Sequence, residues 1–146
     1  MEYNPYALTG KTILVTGASS GIGRAVAIEC SRLGAHVILS ARNKEKLEET
    51  LKMMEGHGHQ VIECDLSKEK EVSLLIDEVP EIQGLVNNAG TTMTVPVPFI
   101  KFNVLSDLLK VNTIAPIMIL SGLVKKKKLR ANSSVVFTRF GTCKSR

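Results

Sequence analysis

Aromatic residues are scarce in this chain. Its 146 residues include no tryptophan, two tyrosines and four phenylalanines, so aromatics make up 4% of the sequence. A core built on stacked rings is therefore excluded, and we predict an aliphatic core of valine, isoleucine, leucine and alanine. With 44% apolar and 23% charged residues, the composition is typical of a globular protein. The length fits one domain with a sizeable core.

Acidic residues are missing from the last part of the chain. All 14 Asp and Glu residues precede residue 108, whereas residues 108–146 carry nine Lys and Arg residues. The run Lys125–Lys128 with Arg130 could contact nucleic acid or an anionic membrane. We favour a solvated helix end, because cations suit the negative end of a helix dipole and no aromatic residues are interleaved with the lysines. The sequence thus predicts neither a nucleic-acid nor a membrane partner.

Cysteine is sparse too, and its three copies are widely spaced. Cys30, Cys64 and Cys143 form neither a disulfide framework nor a C-x-x-C metal site, which indicates a reducing compartment. His57-Gly58-His59 has no carboxylate or thiol cluster to complete a metal site, so we predict a polar loop and no metal. The longest apolar run, Ile114–Val124, is too short to cross a bilayer, and no signal segment opens the chain. We therefore expect a soluble cytoplasmic protein.

Short apolar segments alternate with helical segments along the chain. Strands are predicted at residues 12–15, 37–39, 60–63, 84–86 and 134–137. Helices are predicted at residues 22–33, 44–54, 68–78 and about 103–127. Apolar strands without polar alternation are buried on both faces, and long helical crossovers join parallel strands. The sequence therefore predicts an α/β fold with a doubly wound parallel sheet.

Several residues mark the ends of the predicted helices. Gly34 is expected to stop the first helix, and Pro80 to close the third. Asn43 and Ser67 are placed as N-caps of the second and third helices. Pro116 lies inside the long helical stretch and predicts a kink there, or a later start of the helix.

A glycine-rich turn joins the first predicted strand to the first helix. The run at residues 16–23, TGASSGIG, has the spacing G-x3-G-x-G. Gly17 would allow the tight turn, Gly21 would let a pyrophosphate approach the backbone, and Gly23 would let the helix pack on the strand. Such a turn presents backbone N–H groups and a positive helix end to a phosphate. No Gly-Lys-Ser/Thr follows, which excludes a nucleoside-triphosphatase loop. A plain glycine-rich turn is the alternative.

Polar residues follow the other predicted strands at their carboxyl ends. Arg42 follows the second strand, Asp65-Leu66 the third, and Asn87-Asn88-Ala89-Gly90 the fourth. The carboxyl ends of parallel strands share one edge of the sheet, where ligands of open α/β sheets bind. We therefore expect these residues and the glycine turn to border one crevice.

Together these motifs resemble the classical short-chain dehydrogenase/reductase family. The matching segments are TGASSGIG, the Asp65-Leu66 pair, NNAG at residues 87–90, and Asn112 within VNTIAP, in order over about residues 8–138. The resemblance implies a Rossmann fold and an NAD(P)-dependent oxidoreductase that interconverts an alcohol and a carbonyl compound by hydride transfer. It also implies one NAD(P)-binding domain over residues 1–146, incomplete at its C-terminal side, with a divergent tail at 139–146.

The resemblance also implies roles for individual residues. The glycine loop would hold the pyrophosphate, Asp65 and Leu66 would contact adenine, and residues 88–90 would line the ribose and the nicotinamide side. Asn112 would anchor a water in the proton relay and is the one catalytic residue expected here. The expected cofactor-binding residues are Gly17, Ser19, Ser20, Gly21, Ile22, Gly23, Arg42, Asp65, Leu66, Asn88, Ala89 and Gly90.

The end of the second strand indicates which dinucleotide is preferred. Family members that use NAD usually place an acid there, whereas this chain has Ala41 followed by Arg42. A guanidinium suits a 2′-phosphate, and no carboxylate repels it, so we favour NADP over NAD. The alternative is that Arg42 only stacks on adenine.

The catalytic Tyr-x-x-x-Lys pair of the family is missing from these 146 residues. The two tyrosines, Tyr3 and Tyr6, precede the glycine loop and are followed four residues later by Ala7 and Gly10. The family's serine would fall near Arg139 or Phe140, and neither can replace it. We therefore expect cofactor binding without catalysis. The alternatives are a reductase, a half-domain that binds a partner, or a truncated inactive product, and exposed apolar faces would favour a homo-oligomer.

Overall fold

The computed structural model describes residues 4–138, which form one five-stranded parallel sheet with helices on both faces. The strands lie in the order β3-β2-β1-β4-β5, so the direction of winding reverses between β1 and β4. The elements in chain order are β1 (Thr12–Thr16), α1 (Gly21–Arg32), β2 (His36–Ala41), α2 (Lys44–Lys52), β3 (Gln60–Glu63), α3 (Glu69–Glu78), β4 (Ile82–Asn87), α4 (Phe102–Leu109), α5 (Ala115–Lys125) and β5 (Leu129–Phe137). The predicted doubly wound α/β fold is confirmed.

Two aliphatic cores cover the two faces of the sheet. Alternate residues of β1 serve opposite faces, as the pleat requires: Leu14 belongs to one core, and Ile13 and Val15 belong to the other. The first core includes side chains from α3 and α5, and the second includes Ala27 of α1 and Leu47 of α2. Within residues 4–138 the buried hydrophobic residues include no aromatic ring, as the composition predicts.

Local chemistry sets most helix ends as expected. Gly34 follows α1 with φ +90°, and the Asn43 side chain caps α2 by accepting a hydrogen bond from the Lys46 N–H at 2.9 Å. The prediction that Ser67 caps α3 was wrong, because Lys68 holds the N-cap position. The Ser67 hydroxyl instead donates to the Asp65 carboxylate at 2.8 Å, so it closes the turn before the helix.

The fourth predicted helix contains the irregularity expected at Pro116. A π-helical turn at Lys110–Ile114 separates α4 from α5, and Pro116 is the second residue of α5. The Ala115 N–H bonds the Lys110 carbonyl, five residues back, instead of the carbonyl four residues back. Pro116 has no N–H, so an α-helical ladder cannot run unbroken past it, and the wider turn lies directly before it.

The last strand begins earlier than the sequence predicts. β5 starts at Leu129 opposite Ile82, loses register, and resumes at Ser134 opposite Gly84. Within this bulge Asn132 has φ +63°, a backbone conformation that asparagine tolerates. The polar residues of the bulge interrupt the apolar pattern of the strand, so the sequence predicted a strand only over residues 134–137.

One helical segment among residues 4–138 is long and apolar enough to cross a membrane. It is Phe102–Lys125, with 24 residues, and 22% of its most apolar window is buried. The expectation from the sequence considered only the run Ile114–Val124, which is one part of this longer helical segment. Four residues of this segment, Ala115, Pro116, Ile119 and Leu123, are buried in the protein. One helix of this length and composition is weak evidence for a membrane span.

Candidate functional site

A cavity of about 370 Å³ lies at the carboxyl edge of the sheet. It opens where the strand order reverses, the place at which open α/β sheets bind ligands. Ten of the predicted site residues line it: Gly17, Ser19, Ser20, Gly21, Ile22, Arg42, Leu66, Asn88, Ala89 and Gly90. No role in the crevice was predicted for six other lining residues: Ser40, Asn43, Lys46, Cys64, Thr91 and Val111. Ala41 also lines the cavity, and it was noted only because it stands where family members that use NAD usually have an acid.

Glycine is required in the loop between β1 and α1 for two different reasons. At Gly23 a Cβ would lie 2.2 Å from the Gly17 carbonyl oxygen and 2.3 Å from Asn88 Nδ2, so only a hydrogen fits. Gly21 has φ +57°, a left-handed backbone conformation that favours glycine. A Cβ at this position would meet no described atom within 4 Å, so space is not the reason. Gly21 thus leaves open space beside the cavity, while Gly23 lets α1 approach the loop.

The N-terminus of α1 lies at this cavity, because Ser20, Gly21 and Ile22 line it. Ser20 is the N-cap residue, its side chain makes no capping bond, and the first turn holds no acid. The first N–H groups of a helix have no intrahelical acceptor, and the helix dipole adds positive potential there. The arrangement suits a phosphate, which would accept from these N–H groups.

A network of short polar side chains fixes the NNAG segment against the glycine loop. Thr16 Oγ1 accepts hydrogen bonds from the N–H groups of Asn88 and Ala89, both at 3.1 Å. Asn88 Nδ2 donates to the Gly17 carbonyl at 3.3 Å, and the Thr138 hydroxyl donates to Asn88 Oδ1 at 2.9 Å. No individual role was predicted for Thr16 or Thr138. The sequence sign that could have indicated them is a hydroxyl residue at the carboxyl end of β1 and of β5, the two strands beside β4.

Asp65 lies beside the crevice rather than in its lining. Burial raises the pKa of this carboxyl, but hydrogen bonds from the Ser67 N–H and hydroxyl, with the charges of Lys68 and Arg42, lower it overall. Both Ser67 bonds reach Oδ1, and Oδ2 lies 3.9 Å from Lys68 Nζ. The carboxyl is therefore ionised at neutral pH, and Oδ2 retains acceptor capacity.

Two cations and no carboxylate are found among the cavity-lining residues. Arg42 and Lys46 form no ion pair within 4.0 Å among residues 4–138, whereas Lys68, Arg24 and Arg130 do. Both follow the end of β2, where α2 begins. This side of the crevice therefore carries positive charge that an anion can approach. Lys46 was missed because its place on α2 gives no sign that it reaches the cavity.

Cys64 is a buried thiol in the cavity wall. It is 1% exposed, and burial, with the nearby charges of Glu71 and Asp65, raises the pKa of the thiol to about 12. A thiol of this kind is protonated at neutral pH and is a poor nucleophile. Within residues 4–138 no group of His, Cys, Asp and Glu side chains could hold a metal.

Asn112 is in the π-helical turn and outside the cavity lining. Its side chain accepts a hydrogen bond from the Thr91 N–H at 2.8 Å and donates to the Thr91 carbonyl at 2.7 Å. The amide thus joins the segment after β4 to the long helix. Its role in a proton relay stays a prediction.

The other residues weighed for catalysis or metal binding are distant from the crevice or lie outside the described residues. Tyr6 is exposed and precedes the amino end of β1, at the sheet edge opposite the cavity. Tyr3, Arg139 and Phe140 lie outside residues 4–138, as does Cys143. The division of the chain at residue 139 stays a prediction.

Comparison with known proteins agrees with this geometry. The short chain dehydrogenase family profile matches residues 11–144. Mouse 3-ketodihydrosphingosine reductase is 34% identical over 144 residues, covering 91% of this chain and 43% of that protein. The 3-oxoacyl-acyl-carrier-protein reductase of Rickettsia felis is 45% identical over 85 residues, covering 58% of this chain and 35% of that protein.

A solved structure shares the fold closely. A short chain dehydrogenase from Burkholderia cenocepacia, in complex with NADP, superposes with a TM-score of 0.82 at 29% identity, covering 93% of this chain and 57% of that one. The chain spans less than half the length of the two curated relatives described above. By sequence profile, by relatives and by fold, this chain belongs to the short chain dehydrogenase family.

Proposed function

We propose that this chain is the NADP(H)-binding part of an oxidoreductase that interconverts an alcohol and a carbonyl compound. The observation that carries the proposal is the crevice at the strand-order reversal, with a glycine loop and a helix N-terminus on one side and two cations on the other. NADP(H) carries a pyrophosphate, which would lie at the glycine loop, and a 2′-phosphate, which would lie at the two cations. The reduced nicotinamide would supply the hydride.

The residues of the crevice fit such a cofactor. A side chain at Gly21 would occupy open space beside the cavity, and the first N–H groups of α1 have no intrahelical acceptor. We assign the pyrophosphate to Gly17, Ser19, Ser20, Gly21 and Ile22, with Gly23 holding the loop close to the helix. Asp65 and Leu66 would contact adenine, and Asn88, Ala89 and Gly90 the ribose and nicotinamide side.

The cations at the end of β2 support NADP over NAD. Arg42 and Lys46 line the cavity, and no lining residue among 4–138 is a carboxylate. A guanidinium and an ammonium stabilise a 2′-phosphate, while a ribose diol of NAD would leave both charges without an anionic partner. Arg42 stacked on adenine alone would give no such preference.

Catalysis by these 146 residues is not expected. The sequence holds no Tyr-x-x-x-Lys pair, and Asn112 is the one family catalytic position that it retains. We therefore assign binding to this chain and place the tyrosine–lysine pair that would transfer the proton outside these 146 residues. A truncated inactive product with the same crevice is the second candidate. We also keep a cytoplasmic location, a small-molecule substrate, and no nucleic-acid or membrane partner as proposals.

Charge-removal variants test the cofactor assignment. Arg42→Ala and Lys46→Ala should each weaken NADPH binding by about tenfold or more, since a charge-assisted bond to phosphate is lost. NADH affinity should change by less than about twofold, because it has no 2′-phosphate. Lys52→Ala is the matched control, on the same helix but outside the cavity lining. Equal losses for NADPH and NADH would exclude a 2′-phosphate site.

A further inference from the structure

Two side chains behind the glycine loop hold its carbonyl groups. The Thr50 hydroxyl, fully buried on α2, lies 2.9 Å from the Ala18 carbonyl oxygen. Arg24, on α1, donates from Nη2 to the Ser19 carbonyl at 2.6 Å and from Nε to Thr50 Oγ1 at 3.0 Å. The two side chains thus bond each other and two consecutive carbonyls of the loop.

The hydrogen-bond directions within this pair are determined by its chemistry. Arg24 can only donate, so Thr50 Oγ1 accepts from it and its single proton points to a carbonyl. The Ala18 carbonyl at 2.9 Å and the Lys46 carbonyl at 3.1 Å are both within reach, and the shorter contact, to Ala18, is the one that holds the loop. Arg24 also pairs with Glu49 at 3.2 Å, which holds the guanidinium in place.

Fixing these carbonyls also orients the amides that follow them. No cis peptide bond occurs among residues 4–138, and in a trans peptide the C=O and the next N–H point in opposite directions. When the carbonyls of Ala18 and Ser19 point toward Thr50 and Arg24, the N–H groups of Ser19 and Ser20 point away from them. Ser19 and Ser20 line the cavity.

We propose that Thr50 and Arg24 are positioning residues that preorganise the glycine loop for the pyrophosphate of the cofactor. They act on the phosphate through the backbone and do not touch it. The proposal rests on the proposed cofactor function. It extends that function to α2, because the same helix carries Lys46 at the cavity and Thr50 behind the loop.

Substitution of Thr50 separates this role from general packing. Thr50→Val keeps the shape and removes the hydroxyl, so NADPH should bind about five- to tenfold more weakly. Adenosine 2′-monophosphate has no pyrophosphate, and its affinity should stay within about twofold. Thr50→Ser keeps the hydroxyl and should restore NADPH affinity to within about twofold of the unmodified chain. Calorimetric titration of the full 146-residue chain and of each variant, with each of the two ligands, gives the dissociation constants.

Arg24→Met provides a second variant that removes the guanidinium at a partly exposed position. It should weaken NADPH binding to a similar degree, and the double variant should lose less than the product of the single losses, because the two residues act as one unit. Equal weakening of NADPH and adenosine 2′-monophosphate, or unchanged NADPH affinity in both variants, would overturn the proposal.

Backbone relaxation provides a readout that does not depend on any ligand. In the free chain, the order parameters of the Ser19 and Ser20 amides should be near the value of rigid backbone, about 0.85. In Thr50→Val these order parameters should be clearly lower. If the unmodified chain binds no dinucleotide, the proposed function fails, and this comparison still decides whether Thr50 orders the loop. Unchanged order parameters would contradict the positioning role.

Discussion

Because Gly23 has a hydrogen atom in place of a side chain, α1 can approach the glycine loop closely. The Cβ of any other residue at position 23 would overlap the Gly17 carbonyl and the Asn88 side chain, both parts of the wall between the loop and the NNAG segment. We therefore expect stability and the proposed phosphate binding to depend on the same contact. The spacing of the motif singled out this glycine, which lies outside the cavity lining, and its role in cofactor binding stays a prediction. The sequence did not indicate Thr16 or Thr138, whose hydroxyls matter only through partners distant in sequence.

Gly23→Ala should destabilise the fold by about 1–3 kcal/mol, since the backbone must shift to admit the methyl group. It should also weaken NADPH binding. Urea unfolding and an NADPH titration measure the two effects. Gly122→Ala is the matched control, a helical glycine whose Cβ would meet only side-chain atoms of Ile76, from 2.6 Å, instead of backbone. Identical stability of Gly23→Ala and the unmodified chain would contradict the close contact.

Cys64 should resist alkylation while the chain is folded. With a pKa of about 12, its thiolate at pH 8 amounts to roughly one part in ten thousand. The test uses iodoacetamide on a Cys30→Ser/Cys143→Ser background, with the same protein in concentrated urea as the control. We expect reaction only in urea. Reaction of the folded protein at the rate of a free thiol would show that the thiol is not buried.

Among the helices and strands, those that the sequence predicted best are the ones whose limits are set by local sequence pattern. The strands β1 to β4 and the helices between them follow from apolar runs, glycine stops and the Asn43 cap. Two features depended on contacts that the sequence pattern does not show, one distant along the chain and one local, and were missed or misplaced. The start of β5 depends on pairing of Leu129 with Ile82. The α3 cap shifted because Ser67 bonds Asp65 instead.

The turn between β3 and α3 should weaken in acid. Hydrogen bonds from Ser67 and nearby cations outweigh burial and lower the Asp65 pKa, and the Lys68 hydrogen bond lowers that of Glu71. Because folding lowers both values, the carboxylates stabilise the fold above their ordinary pKa values, 3.8 and 4.5, and this stabilisation is lost as pH falls through the lower folded values.

Asp65→Asn tests this dependence. It should lower the free energy of unfolding at pH 7 by about 1 kcal/mol, because two hydrogen bonds to a carboxylate weaken. The difference between variant and unmodified chain should then shrink as the pH falls through the titration of Asp65. Urea unfolding at a series of pH values measures it. A difference independent of pH would contradict the role of the ionised carboxylate.

At the scale of the whole molecule, apolar surface is concentrated on the long helix and the segment before it. Phe99, Phe102, Ile117 and Met118 are all exposed, and Phe102 is 88% exposed. β5 has a neighbour on one side only, so its other edge is unpaired within residues 4–138. Both features favour association. We therefore expect the isolated chain to be marginally stable or to associate.

Sedimentation velocity over a range of concentrations tests this expectation. Ile117→Lys should weaken self-association by about tenfold or more, because it places a charge in an apolar contact. Leu74→Lys is the matched control, an exposed leucine on α3, on another helix. A purely monomeric chain that unfolds cooperatively with more than about 8 kcal/mol would contradict the expectation.

The proposed function requires that the crevice beside the glycine loop binds the phosphates of NADP(H). Titration of the 146-residue chain with NADPH and with NADH, followed by the fluorescence of the reduced nicotinamide, tests it most directly. We predict saturable binding of NADPH that is about tenfold or more tighter than that of NADH, as a 2′-phosphate held by Arg42 and Lys46 requires. No binding of either dinucleotide at millimolar concentration would contradict the account.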